Sequence, residues 1–144
     1  MKHIFVLLIT LFTLSTSIAQ EESNWFTSKD TAIEHAKENN SNILIVFAGS
    51  DWCKPCIQFK QDILLSEDFN TYATDNLTIL YLDFPMKKKN KLSEEITKHN
   101  EALAEEYNKS GSFPKIILTD KDLVRIKEIE FKNQSPSEFV SAIK

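Results

Sequence analysis

Cysteine, glycine and histidine are scarce in this chain of 144 residues, and its 17 basic residues are outnumbered by 21 acidic ones; each feature argues against a class of protein. Two cysteines cannot build a disulfide-stapled scaffold. Of the three histidines, only His35 and His99 lie beyond the N-terminal stretch. Neither has zinc-finger spacing from the cysteine pair, so no metal site is expected. Two glycines against 42% apolar residues exclude a linker-rich chain and fit a compact, ordered one. The formal net charge is −4 and becomes −5 if Lys2 is lost with residues 1–19. That acidity argues against nucleic acid or an anionic membrane surface as the main partner. No internal repeat or low-complexity segment is visible.

The longest apolar run, residues 4–14, is too short for a comfortable membrane span. With Lys2 and His3 before it and Ser17-Ile18-Ala19 after it, it reads as a cleavable secretory signal over residues 1–19. No cysteine stands at the cleavage point, so a lipoprotein anchor is not expected. Residues 20–144 are then one exported domain, periplasmic or secreted and soluble after cleavage. They are long enough to bury a core without crosslinks.

Both cysteines fall in one stretch, Ser50-Asp51-Trp52-Cys53-Lys54-Pro55-Cys56. An apolar run, Asn42 to Phe47, precedes it, and Cys56, Phe59 and Ile63 then recur at helical spacing. Pro55 suits the first turn of that helix, where a missing N–H is no loss. Cys53 therefore stands at the helix N-terminus, where unpaired N–H groups and the macrodipole favour a thiolate. Cys56, one turn inside, is near enough to close a disulfide with it. An exposed, low-pKa sulfur with a resolving partner is what thiol–disulfide exchange requires. A purely structural disulfide is the bland alternative, but so short a loop removes little unfolded-state entropy. A half zinc site would need two further ligands.

Trp52-Cys53-Lys54-Pro55-Cys56 on a strand-to-helix turn resembles the active site of the thioredoxin superfamily. A second mark lies at Ser112-Phe113-Pro114-Lys115, where thioredoxin-like proteins carry a cis-proline facing the CxxC motif. The resemblance covers roughly residues 25–144. It implies the thioredoxin fold, an α/β/α three-layer arrangement around a central mixed sheet, here with an N-terminal helical extension. It also implies a reversible Cys53–Cys56 redox disulfide with both cysteines catalytic. Trp52, Lys54, Pro55, Phe113 and Pro114 would form the client-binding surface, with a client strand held beside Pro114. No cofactor is called for. Partners would be client proteins bearing disulfides or dithiols, and a redox partner such as a membrane electron-transfer reductase; the protein is expected to be a monomer.

Departures from the family pattern shape the expected activity. Lys54 replaces the usual glycine and adds positive charge beside Cys53. Pro55 stands where strong oxidants and isomerases commonly place histidine, which favours a reductase. Val46 occupies the position of the usual buried aspartate; Asp51 is the nearest substitute base and is expected to be exposed. Phe113 replaces the usual threonine before the proline. The reading is an exported thiol–disulfide oxidoreductase that reduces clients. The alternatives are a non-catalytic client-binding or chaperone module, and a disulfide oxidase or isomerase.

Elsewhere the pattern predicts a helix over residues 29–39 with Thr27 and Asp30 as capping pair, and exposed His35. A redox helix should run over residues 54–65, followed by a short turn over residues 69–73 capped by Ser66. The apolar stretch 77–83 reads as a buried strand. The lysine-rich residues 87–91 read as a solvated turn with a capacity to steer an acidic partner. A helix over 92–109 would present Ile96, Leu103 and Tyr107 to the core and leave His99 exposed. Strands at 115–119 and 124–131 form a hairpin whose apolar phase slips by one, predicting a bulge. Ser135-Pro136-Ser137-Glu138 is a capping box that opens a final helix carrying Phe139, Val140 and Ile143.

Overall fold

The computed structural model describes residues 24–144; the expected signal segment lies outside them. In chain order the elements are β1 (Trp25–Phe26), α1 (Lys29–Asn39), β2 (Asn42–Ala48), α2 (Lys54–Phe59), α3 (Glu67–Asn76), β3 (Leu77–Asp83), α4 (Glu94–Tyr107), β4 (Lys115–Thr119), β5 (Arg125–Ile129) and α5 (Pro136–Ile143). α2 runs on into a π-helical turn, Lys60–Leu64. The sheet order is β1-β3-β2-β4-β5, with β2 parallel to β3 and antiparallel to β4.

Period-two alternation along β2 creates the three layers. Leu44, Val46 and Ala48 face a core shared with Phe59, Phe69 and Phe139 from the α2, α3 and α5 side. Ile43, Ile45 and Phe47 face the other side, where Ala32 and Ala36 of α1 and Leu103 and Tyr107 of α4 pack. Phe59 of α2 meets Phe139 of α5 edge-to-face with centroids 5.2 Å apart, which seats α2 on the core. Burying each such ring contributes about 2 kcal/mol. Among the described residues no helix is long and apolar enough to cross a membrane.

The N-terminal extension is more than a helix. Trp25 and Phe26 pair in parallel with Ile79 and Leu80, giving the sheet a fifth, edge strand. The expected Thr27–Asp30 cap does not form: Ser28 is the N-cap of α1 and makes no side-chain cap bond. Asn40 ends that helix in the left-handed region at φ 49°, a conformation asparagine tolerates.

Neither histidine is a free surface group. His35 Nδ1 bonds Thr78 Oγ1 at 2.8 Å, and its ring lies 4.8 Å from that of Phe26. His99 Nε2 accepts from the Lys29 amide at 3.0 Å and so carries no proton there, leaving Nδ1 to donate to Asn100. Ile96 is exposed, contrary to its expected core role, and buried Asn100 takes the inward position in that part of α4. α3 is longer than expected, running to Asn76 at the start of β3, with Asn70, Thr74 and Asn76 side chains bonded to carbonyls one turn back. β5 stops at Ile129, short of the predicted 131. The predicted bulge is present: Leu118 pairs with Lys127 and Thr119 with Arg125, leaving Ile126 as the extra residue. The Ser135–Glu138 capping box forms in full, and Phe139, Val140 and Ile143 are buried.

Candidate active site

The site lies at the C-terminal end of β2, where Gly49 and residues 50–52 turn the chain into α2. Cys53 is the N-cap: its amide donates to Gly49 O at 3.0 Å, and its Sγ accepts from the Cys56 amide at 3.3 Å. Pro55 sits in the first turn, as its missing donor permits. The two sulfurs are joined in a disulfide with the Cα atoms 5.2 Å apart.

Cys53 is 4% exposed and Cys56 1%, so the Cys53 sulfur is far less open than the motif predicts. Its sulfur is taken up by the disulfide and the cap bond, and Phe113 packs against the same cluster. Beneath the pair lie Leu44, Val46 and Ala48, all fully buried and apolar. Val46, expected at the position of the usual carboxylate, is fully buried in that apolar cluster.

The expected rim is assembled. The Phe113–Pro114 bond is cis, and Pro55, Phe113 and Pro114 line one groove of about 360 Å³ that brings the two motifs together. The Trp52 ring stands edge-on to Phe113 with centroids 5.4 Å apart. Lys54 is exposed on the first turn of α2 and forms no ion pair among the described residues.

Four residues that fix this geometry carry no motif. Phe84 accepts a hydrogen bond from Trp52 Nε1 through its carbonyl at 2.7 Å and packs its ring on Phe113. Asp83 accepts from both the amide and the hydroxyl of Ser50. Asn100 donates to the Asp83 carbonyl at 2.9 Å. Asp51, the nearest substitute base by sequence, has its carboxylate engaged by the loop after β3. Its carboxylate accepts from the Met86 and Lys87 amides and the Asn90 side chain, at 2.8–3.0 Å. Those bonds, the Met86 amide foremost, hold its carboxyl below the usual aspartate range. The only signal in the sequence was a lone aspartate three residues after the end of β2.

This arrangement has known counterparts. The family model for the thioredoxin-like domain matches residues 29–130. A Chlamydia pneumoniae protein named disulfide bond reductase DsbH is 33% identical over 113 residues, which are 78% of this chain and 66% of that protein. The thioredoxin-related protein DsbJ of the same organism is 26% identical over 145 residues, 95% of this chain and 41% of that one. The chain thus spans less than two thirds of the length of these curated relatives. A solved DsbH oxidoreductase superposes with a TM-score of 0.75 at 32% identity, covering 83% of this chain and 80% of that chain. The chain belongs to the thioredoxin-like family, and its cysteine pair is of the thiol–disulfide oxidoreductase type.

Proposed function

We propose that the protein is an exported reductase of protein disulfides, with Cys53 as nucleophile and Cys56 as resolving thiol. The observation that carries this reading is Cys53 at the N-cap, its sulfur bonded to the Cys56 amide, on a turn that shares a groove with Pro114. An N-cap sulfur is stabilised as thiolate by the amides it faces. In the reduced protein the Cys53 thiolate attacks one sulfur of a client disulfide. A mixed disulfide forms and the client's other sulfur leaves. Cys56 then attacks Cys53 Sγ, the Cys53–Cys56 disulfide closes, and the second client sulfur leaves. Two electrons pass to the client, whose thiolates take up two protons. Around Cys56 the wall is Val46 and its apolar neighbours, so the proton of Cys56 goes to the departing client sulfur or to solvent rather than to a buried carboxylate. A dithiol reductant, such as a redox partner protein, restores the starting state.

The reducing direction is supported by Pro55 in place of histidine and by the name of the 33%-identical relative. Trp52, Lys54, Phe113 and Pro114 act as the client surface, and Lys54 adds positive charge beside the sulfur. Export rests on the Lys2–Ala19 pattern, and the mature protein is expected to be a monomer starting at Gln20, which intact mass of the exported protein checks. The decisive experiment equilibrates the Cys53–Cys56 couple against dithiothreitol and glutathione buffers. A potential near or below about −230 mV supports the reductase; one near or above about −180 mV makes the protein an oxidase or isomerase. A Cys56→Ser variant should trap clients as mixed disulfides on Cys53. If Cys53→Ser keeps full function in cells, the protein is a binding module and not an enzyme.

A further inference from the structure

Cys56 and Lys60 are four residues apart on one helix, and the Lys60 amide donates to the Cys56 carbonyl. Their side chains therefore share a face, with Cβ atoms about 5–6 Å apart. Lys60 is half-buried and lies over the sheet: its Nζ is 5.2 Å from the centre of the Tyr81 ring and 6.0 Å from that of Trp25. Those rings are 5.7 Å apart and hold the ammonium by cation–π attraction. Tyr81 is the register partner of Val46 on the neighbouring strand, and both pack in the cluster that holds Cys53 and Cys56. The ammonium is thus seated along the wall on which the second sulfur rests.

Lys60 has no ion-pair partner among the described residues. Around Cys56, β2 and β4 contribute only apolar side chains, Leu44, Val46, Ala48 and Ile116, and α5 contributes Phe139. β3 brings Tyr81 and Asp83. Burial pushes Tyr81 up to about 12, so it stays neutral, and both Asp83 oxygens are engaged by Ser50. Lys54 and Asp62, before and after Lys60 on the same helical run, are exposed, and Asp51 is held by the loop after β3. Partial burial of an ammonium costs free energy that a nearby anion offsets. Reduction of the disulfide supplies such an anion, the thiolate of Cys56.

We propose that Lys60 is a positioning residue for the second half of the reaction, its ammonium stabilising the Cys56 thiolate that resolves the mixed disulfide. The inference deepens the reductase reading above and rests on it. Cys56 first gives its proton to solvent, and its thiolate attacks Cys53 Sγ. The Cys53–Cys56 bond forms, the bond from Cys53 to the client sulfur breaks, and the client thiolate leaves with the electron pair. Lys60 stays protonated throughout. Cys53 lies about two helical turns from Lys60 and is served by the helix N-terminus, so the charge at Lys60 distinguishes the two steps.

The test mixes reduced protein with one equivalent of the aromatic disulfide dithiobis(nitrobenzoate). One coloured thiolate is released when Cys53 attacks and a second when Cys56 resolves the adduct; stopped-flow absorbance separates the two phases. The aromatic thiolate leaves without a proton, so the second phase follows the Cys56 thiolate. Lys60→Met keeps the aliphatic stem and drops the charge. It should slow the second phase about tenfold at neutral pH and raise its pH midpoint by about one unit. Lys60→Arg should restore both, and the first phase should change by less than about twofold in either variant. A parent-like pH profile of the second phase in Lys60→Met overturns the proposal. So does equal slowing in Lys60→Met and Lys60→Arg, which makes the role one of packing, or a matching shift in the first phase, which assigns the charge to Cys53. Each of these leaves the reductase reading standing. A parent protein that releases no second thiolate has no resolving cysteine and overturns both.

Discussion

Gly49 carries a prediction that tests how the Trp52 rim is held. A Cβ built on Gly49 would lie 2.3 Å from Trp52 Cε2, 2.5 Å from Nε1 and 2.6 Å from Cζ2. No indole fits there, so Gly49→Ala must push the ring out toward solvent. Two interactions go with it. The Nε1 bond to the Phe84 carbonyl, at 2.7 Å, is worth about 1 kcal/mol net. The edge-on contact with Phe113, at 5.4 Å, is worth about 1 kcal/mol more. Replacing glycine by alanine returns about 0.5 kcal/mol by stiffening the unfolded chain. The net cost is about 1.5 kcal/mol, or a fall in Tm of about 6 °C for a domain of this size. Denaturant unfolding should show it as a lower midpoint with unchanged slope. A double-mutant cycle isolates the cause: in a Trp52→Ala background Gly49→Ala should cost nothing or stabilise slightly. An equal cost of about 1.5 kcal/mol in both backgrounds would refute the argument, because the penalty would then arise in the backbone and not at the indole.

Asp51→Ala should free the loop after β3 while leaving the core intact, seen as faster amide exchange at Met86 and Lys87 and faster tryptic cleavage after the loop lysines. Since the folded-state pKa of Asp51 is depressed, its contribution is present above the ordinary aspartate pKa of 3.8 and is lost as pH falls through the lower folded value; loop exchange in the parent protein should quicken in that acid window. At the alkaline end, burial pushes Tyr81 and Tyr107 up to about 12. Both should ionise about two pH units late in an absorbance titration, and the stability they contribute, complete below pH 10, should drain away as pH rises through 12. Ser135→Ala removes the hydroxyl that accepts from the Glu138 amide and donates to the Glu138 carboxylate, and should cost about 1 kcal/mol in denaturant unfolding, whereas Ser135→Thr should retain most of the stability.

What the sequence made legible divides along a physical line. Bounds set by local chemistry were readable to the residue: α1 between its apolar stripe and Asn40, β3 as an unbroken apolar run, and α5 from Ser135-Pro136-Ser137-Glu138. The bulge was anticipated too, although Val124 and Ile126, whose spacing suggested it, are both exposed. The cysteine pair and the proline could be placed because few residues perform their chemistry. β1 was not legible, since two residues carry no periodicity and pair only because β3 offers an edge. Nor were the clamps at Asp51, Asp83 and Asn100. Each joins a side chain to a backbone group or a serine in a different segment, and neither kind of partner has a signature in sequence. His35 and His99 were misplaced for the same reason: charged neighbours suggest solvent, while a single hydrogen bond to Thr78 or to the Lys29 amide draws the ring inward. These clamps decide the shape of the surface beside Trp52. Asp51 and Asp83 tie the loop after β3 to the turn that carries the nucleophile, so a family member with the same CxxC motif and a different residue at either position would present a different pocket beside Trp52. The motif carries the redox chemistry, and on the reading proposed above the hydrogen bonds around it shape the surface that a client meets.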